Sequence, residues 1–234
     1  MLKMTTFATS SDGNMFLLEN EETKILVECG LDKKEIRRKL MGKNMLVVDL
    51  DCCFITHIHQ DHCKSVEYIA DYTDVYSNIE VASKYECVKF VEPLKPITIK
   101  TITVMPILVE HGIATNYAYI FKDKDEYLFF GTDFCVMKQN LKKIKFDKIY
   151  IELNYDDEIM EKMLEENSDN LQGKNIRQIS THMSRENCKE HLRHMDLSKC
   201  KEIHLLHLSK FLTNKKEIQE DFEREFGIKT YVAC

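Results

Sequence analysis

His57–Ile58–His59–Gln60–Asp61–His62 decides how the rest of this chain is read. It packs four potential metal ligands into six residues. Imidazole and carboxylate together suit zinc, manganese or iron, and a chain leaving a buried strand can hold them at fixed angles. That strand is at hand: Asp51–Thr56 is a short, nearly continuous apolar run, as a strand covered on both faces would be. The i, i+2 spacing lets His57 and His59 point to one side of an extended segment. Asp61 and His62 are adjacent and face differently, which predicts a second ion rather than a fourth ligand to the first. A histidine-rich surface loop or a histidine at a helix N-terminus is the competing reading. Four ligand-type residues behind a buried strand set it aside.

Around this stretch the pattern is β-rich first and then alternating. Met4–Thr9 and Met15–Glu19 flank the turn signal Ser10–Ser11–Asp12–Gly13–Asn14, and Lys24–Cys29 reads as the next strand. Ile36 and Leu40, four apart, predict a helix over Asp32–Met41, and Ser65–Asp71 predicts another after the histidine loop. Further strands are expected at Val75–Ser77, Pro96–Val109, Asn116–Phe121, Glu126–Phe130 and Lys148–Leu153. Helices at Asp157–Glu166, Arg185–Met195 and Lys215–Phe226 then alternate with strands at Glu202–Leu206 and Lys229–Val232. Asn214 with Glu217 resembles a capping box. Strands first, then β and α in turn, indicate a layered α+β (α/β) architecture of mixed sheets with helices outside. With three prolines, seven glycines and no linker-like run, residues 1–234 read as one domain.

A content of 44% hydrophobic and 31% charged residues excludes disorder, and a net charge of −6 argues against a dedicated nucleic-acid binder without excluding a local basic rim. Nine cysteines, an odd count without a CxxC pair, read as reduced thiols in a cytoplasmic protein. No signal peptide and no membrane-length apolar segment is expected. The aromatics show no base-stacking pattern.

The histidine stretch matches the HxHxDH signature of the metallo-β-lactamase superfamily, which the chain resembles over nearly its whole length. His111 after a strand, Asp133 in Gly131–Thr132–Asp133 and His207 in Leu205–Leu206–His207–Leu208–Ser209 follow in the order of that family. The resemblance implies a four-layer αβ/βα sandwich with two mixed β-sheets and two divalent ions, zinc or manganese. By the same carry-over, His57, His59 and His111 bind the first ion, Asp61, His62 and His207 the second, and Asp133 bridges them. Within the superfamily the chain looks most like the YycJ/WalJ-type group, which is associated with DNA exonuclease activity. Ser10–Asn14, Glu152–Leu153–Asn154–Tyr155–Asp156, His182–Met183–Ser184 and His207–Leu208–Ser209–Lys210 carry that likeness. The chain departs from the pattern with Glu28 for the usual Asp, Ser65 for Gly after the motif and Tyr155 for His.

These residues imply a phosphodiesterase, a DNA exonuclease by resemblance, in which a metal-bridging hydroxide attacks while Asp61 and Asp133 orient it. DNA is favoured over RNA as substrate. His182 lies beyond the seven ligands, and RNA-processing relatives pair such a histidine with a glutamate, here Glu152, to protonate the leaving group; a plain loop histidine beside a Ser184 helix cap is the other reading. Lys210, Ser184 and Asn14 are the candidate substrate contacts. Arg37–Arg38–Lys39, Lys142–Lys143 with Lys145, and Lys215–Lys216 read as solvated faces, as do His191 and His194. The rival functions are a small-ester, lactone or thioester hydrolase, a diiron oxidoreductase, and a silent metal-binding scaffold or nucleic-acid-binding protein. Oligomeric state stays open.

Overall fold

Met15–Glu19 is apolar at four consecutive positions, and all four are fully buried, so this stretch forms an inner strand. In the computed structural model, which describes residues 1–166, 179, 181–209 and 213–233, it is β2 of a six-stranded sheet. The chain divides into two units, Met1–Ile107 with Ala114–Glu126, and Leu108–Ile113 with Tyr127–Cys234.

The first unit holds the six-stranded sheet in sequence order: β1 (Lys3–Ala8), β2, β3 (Lys24–Val27), β4 (Cys52–Phe54), β5 (Val75–Ser77) and β6 (Val88–Phe90). β1 to β3 are antiparallel and β3 to β6 parallel, so the sheet is mixed. Helix α1 (Lys33–Met41) starts at Asp32, whose carboxylate accepts from the Lys34 and Glu35 amides. Its buried Ile36 and Leu40 join Met15, Leu17, Leu26, Cys53 and Ile55 in one core. Truncating any of these large side chains to alanine costs about 2–5 kcal/mol. Short helices α2 (Gln60–Cys63), α3 (Val66–Ala70) and α4 (Ile79–Lys84) follow the parallel strands.

Two strand expectations change here. Lys24–Cys29 stops at Val27, because Glu28 turns into the left-handed region at φ 65°. Pro96–Val109 is two strands, β7 (Ile97–Ile99) and β8 (Ile102–His111), paired antiparallel with Ile99 opposite Ile102. The turn between them runs through Lys100 at φ 48° without a glycine, asparagine or proline, so the Ile/Thr alternation on both sides hides it. Helix α4, capped by Asn78, and β6 were not expected. β9 (Ala114–Asp123) completes this unit.

The second unit carries a parallel run: β10 (Glu126–Gly131), β11 (Lys148–Glu152), β12 (Glu202–Leu206) and β13 (Lys229–Val232). The second sheet of the chain has seven strands and contains both this run and the antiparallel β7–β8 pair, so it too is mixed. Helices α5 (Asp157–Glu166), α6 (Arg185–Arg193) and α7 (Lys215–Phe226) alternate with the later strands. Arg185 ties the three together, bonding Asp156 ahead of α5 and Asp221 and Glu217 of α7. The Asn214 carboxamide oxygen accepts from the Glu217 amide, while Glu217 returns to the Asn214 side chain rather than to its backbone.

The eight cysteines among the described residues are free. No helix of the described residues is long and apolar enough to cross a membrane.

Candidate metal centre

Parallel strands bring their C-terminal ends to one edge, and loops leaving that edge are where open α/β sheets place their chemistry. In the first unit Val27 of β3 pairs beside Phe54 of β4, so Glu28 and the histidine loop leave the sheet together. The Glu28 amide donates to the Phe54 carbonyl at 2.9 Å, and the Thr56 amide lies 3.3 Å from both Glu28 carboxylate oxygens. The loop cannot slide, because each of its first residues is tied to a neighbouring strand.

Two of the motif's three imidazoles, those of His57 and His62, have one nitrogen facing a fixed partner. His57 Nδ1 is 2.9 Å from the Thr56 hydroxyl, and His62 Nδ1 is 3.3 Å from a Glu28 carboxylate oxygen. Their other nitrogens turn toward one another's neighbours: His57 Nε2 lies 2.9 Å from His59 Nδ1, and His62 Nε2 lies 3.3 Å from Asp61 Oδ2. Two imidazole nitrogens at that spacing need a shared proton or a shared cation between them. Holding one ring nitrogen on a carboxylate or hydroxyl while the other is aimed inward is the usual preparation of a metal-binding histidine. The donor set fits a divalent ion.

Burial pushes the Glu28 carboxyl above its ordinary range, with His62 and Thr56 pulling the other way. Its left-handed backbone costs on the order of 1–3 kcal/mol, a strain retained where a site demands it. Gly30 serves the same loop. A Cβ there would stand 1.6 Å from the Asp61 carbonyl oxygen, so only glycine allows the approach. Asn14 is buried and bonds the Asp61 backbone and His62 Nε2, which makes it a brace of the motif. Ser65 donates its hydroxyl to the Leu31 carbonyl at 2.7 Å, a bond that a glycine at this position would lack.

In the second unit Gly131 pairs beside Ile151, and Glu152 beside Leu206. Asp133, Glu152 and His207 therefore emerge from three adjacent parallel strands. With His182 they form a group whose donor atoms all lie within 4.8 Å of one another. Glu152 is fully buried and central: one oxygen is 2.6 Å from His182 Nδ1 and 3.2 Å from His207 Nδ1, and the other accepts from the Phe134 amide at 2.6 Å. Burial raises the Glu152 carboxyl, but the two histidines outweigh it and hold it below the ordinary range. For His207 burial lowers the pKa, while Asp133 and Glu152 outweigh it and raise it. Asp133, at φ 54°, accepts the Thr132 hydroxyl at 2.9 Å and lies 3.2 Å from His207 Nδ1.

His111 ends β8, and its Nδ1 is 2.7 Å from the Thr181 carbonyl. A carbonyl only accepts, so Nδ1 carries the proton and Nε2 keeps its lone pair for a metal. Burial lowers the His111 pKa, which favours the neutral ligand form. The His111 and His182 rings are 5.2 Å apart, as are those of His182 and His207.

Ser184 is buried and caps α6, accepting from the Asn187 amide at 3.2 Å. Lys210 lies outside the described residues. His194 is exposed, as expected, but His191 is not: its ring packs on Phe134 and reaches the Cys135 carbonyl, because α6 turns that face inward. The residues that sequence reasoning passed over are Gly30, Thr181 and Asn154. Asn154 donates to the His207 carbonyl at 3.0 Å. Its place in Glu152–Asp156 was the one available hint.

The solved structure of YhfI from Bacillus subtilis, a metallo-β-lactamase fold protein, matches with a TM-score of 0.76 at 16% identity, covering 100% of this chain and 97% of that one. This chain has the metallo-β-lactamase fold. The two mixed sheets with helices are the fold class expected of it. Exodeoxyribonuclease WalJ of Streptococcus pneumoniae is 30% identical over 173 residues, covering 68% of this chain and 64% of that protein. Exodeoxyribonuclease YycJ of Bacillus anthracis is 26% identical over 154 residues, covering 61% and 58%. The chain thus spans less than two thirds of the length of these curated relatives. A family model described as Anti-Pycsar protein Apyc1 matches residues 4–80.

Proposed function

We propose that this chain is a dinuclear metal-dependent phosphodiesterase that degrades DNA from its ends. The observation that carries the reading is the motif pair His57 Nε2 and His59 Nδ1, 2.9 Å apart, two nitrogens that need a cation or a proton between them. The likeness to WalJ and YycJ, both named exodeoxyribonucleases, supports the substrate.

His57, His59 and His111 are assigned to one ion, Asp61, His62 and His207 to the other, and Asp133 to both. When bound, the ions, zinc or manganese, supply an acidified water and positive charge against the phosphoryl oxygens. The protein's part is orientation and proton transfer. Thr181 sets the His111 tautomer through its carbonyl, and Glu28 does so for His62 through its carboxylate. Asp61 and Asp133 accept hydrogen bonds from the attacking water and fix its direction. His182, held at Nδ1 by Glu152, donates a proton from Nε2 to the departing oxygen. A cytoplasmic setting fits the free thiols.

The test is digestion of end-labelled single- and double-stranded DNA and RNA by metal-free, manganese-loaded and zinc-loaded protein, beside Asp61→Ala. Metal-restored release of terminal nucleotides from DNA, lost in the variant, is expected. Full turnover by a metal-loaded Asp61→Ala protein would overturn the assignment, and a metal-loaded wild type inert on DNA would overturn the substrate.

A further inference from the structure

Asn154 is 5% exposed and sits where three loops of the second unit meet. Its amide donates to the Met183 carbonyl at 2.8 Å, and its carbonyl accepts from the Ser209 amide at 2.9 Å. One residue therefore links the Glu152 loop to the His182 loop and to the His207 loop. Its side chain goes further. Nδ2 donates to the His207 carbonyl at 3.0 Å and lies 3.1 Å from His207 Nδ1.

That carbonyl faces Asn154 because His207 is turned to φ 57°, a conformation that costs energy and relaxes unless something holds it. The same ring nitrogen is 3.2 Å from Asp133 Oδ1 and 3.2 Å from Glu152 Oε1. Carboxylates only accept, so the Nδ1 proton goes to them and the Asn154 hydrogen goes to the carbonyl. Nε2 is then left with its lone pair. A flipped ring would set a carbon against two carboxylates. A relaxed backbone would carry the ring away from both. Aspartate at 154 has the right shape but would place an oxygen against the His207 carbonyl, and alanine would leave that carbonyl unanswered.

We propose that Asn154 is a positioning residue that locks the backbone and tautomer of His207 and so sets the affinity of the one ion His207 holds, leaving the other ion unaffected. This rests on the dinuclear reading above. Loss of a partner that orients a ligand weakens metal binding about 10–100-fold.

The experiment is titration of the metal-free full chain with cobalt(II), followed by visible absorption and calorimetry, with no substrate present. Wild type, Asn154→Ala and Asn154→Asp are compared, with His207→Ala as the benchmark for losing the ligand outright. Two ions are expected in the wild type, and in Asn154→Ala one site unchanged and the other weakened about 10–100-fold. Asn154→Asp keeps the shape of the side chain and covers the case in which alanine does not fold; its ratio of the two affinities widens in the same direction. General destabilisation weakens both sites together, so two sites equally weakened, or both unchanged, overturn the role of Asn154. A wild type that takes up fewer than two ions overturns the dinuclear reading itself, and the assignment of Asn154 with it.

Discussion

Replacing Gly30 by alanine places a methyl group where the metal-motif loop already is. The added Cβ would stand 1.6 Å from the Asp61 carbonyl oxygen, 2.1 Å from its carbon and 2.8 Å from the His62 nitrogen. All three are backbone atoms, so no side chain can swing aside. Side-chain carbons essentially never approach closer than 3.0 Å, so the loop must retreat by about 1.4 Å, the difference between 3.0 and 1.6 Å. That movement breaks the Asn14 amide bond to the Asp61 carbonyl, now 2.7 Å, and strains the Cys29 amide bond to the His62 carbonyl, now 2.9 Å. Each bond contributes about 0.5–1.5 kcal/mol net and overpacking costs about 1–3 kcal/mol, giving a loss of about 2–6 kcal/mol. Ligand positions tolerate only about 0.2 Å, so Asp61 and His62 leave the geometry that binding needs. Urea unfolding of the metal-free protein measures the first effect and chelator competition the second. Gly42→Ala is the control. Gly42 caps α1 with right-handed angles, φ −60° and ψ −16°, and its Cβ would meet nothing closer than 3.3 Å. That substitution is expected to be neutral or stabilising by about 0.4–1 kcal/mol. A Gly30→Ala protein with the unfolding midpoint and metal uptake of the wild type would refute the close-approach argument.

Ser184→Ala should cost about 1 kcal/mol in urea unfolding through the lost α6 cap and leave KM unchanged; a raised KM would show instead that the hydroxyl contacts substrate. His182→Ala is expected to lower kcat about 10²–10⁴-fold at unchanged metal content, and an unchanged kcat would reduce His182 to a loop residue. Although partial burial raises it, the Asp221 carboxyl is held below its ordinary range by Lys189 and Arg185, a depressed folded-state pKa. Its stabilisation is therefore complete above the unfolded value, about 3.9, and is lost as pH falls through the folded one, so the stability gap between wild type and Asp221→Asn should close in acid. A gap of constant size from pH 7 to pH 2 would contradict this. Lys210→Ala is expected to flatten the dependence of log Kd on log salt for single-stranded DNA by about 0.7, and an unchanged slope would remove Lys210 from the substrate contacts.

The parts of this protein legible in its sequence are those where one residue type has one local use. Met15–Glu19 and Val75–Ser77 were found at their observed bounds, the first because four consecutive apolar residues between polar turns fit few other structures, the second because Val75 and Tyr76 stand between the polar Asp74 and Asn78. Asp157–Glu166 and Lys215–Phe226 were found at their bounds likewise, the second with Asn214 and Glu217 marking its start. The histidine loop was legible because imidazoles and carboxylates do not gather by chance behind a buried strand. What escaped depends on the third dimension. Nothing local in Lys100–Thr101 signals a reversal, since the pairing of Ile97–Ile99 with Ile102–Val104 supplies the energy that bends the chain there. Gly30 is indistinguishable from any loop glycine until Asp61 is laid against it. Asn154 is one of many amide and hydroxyl side chains in the loops until His207 turns its carbonyl toward it; its importance is a property of the fold rather than of its neighbours in sequence. The residues that bind metal are thus announced by their chemistry, whereas the residues that aim them are ordinary ones in extraordinary positions. Glu28, Asp133 and His207 mark where to look for the second kind, because each has a left-handed backbone at the end of a strand that delivers candidate ligands, and the bonds around it must hold that strain in place.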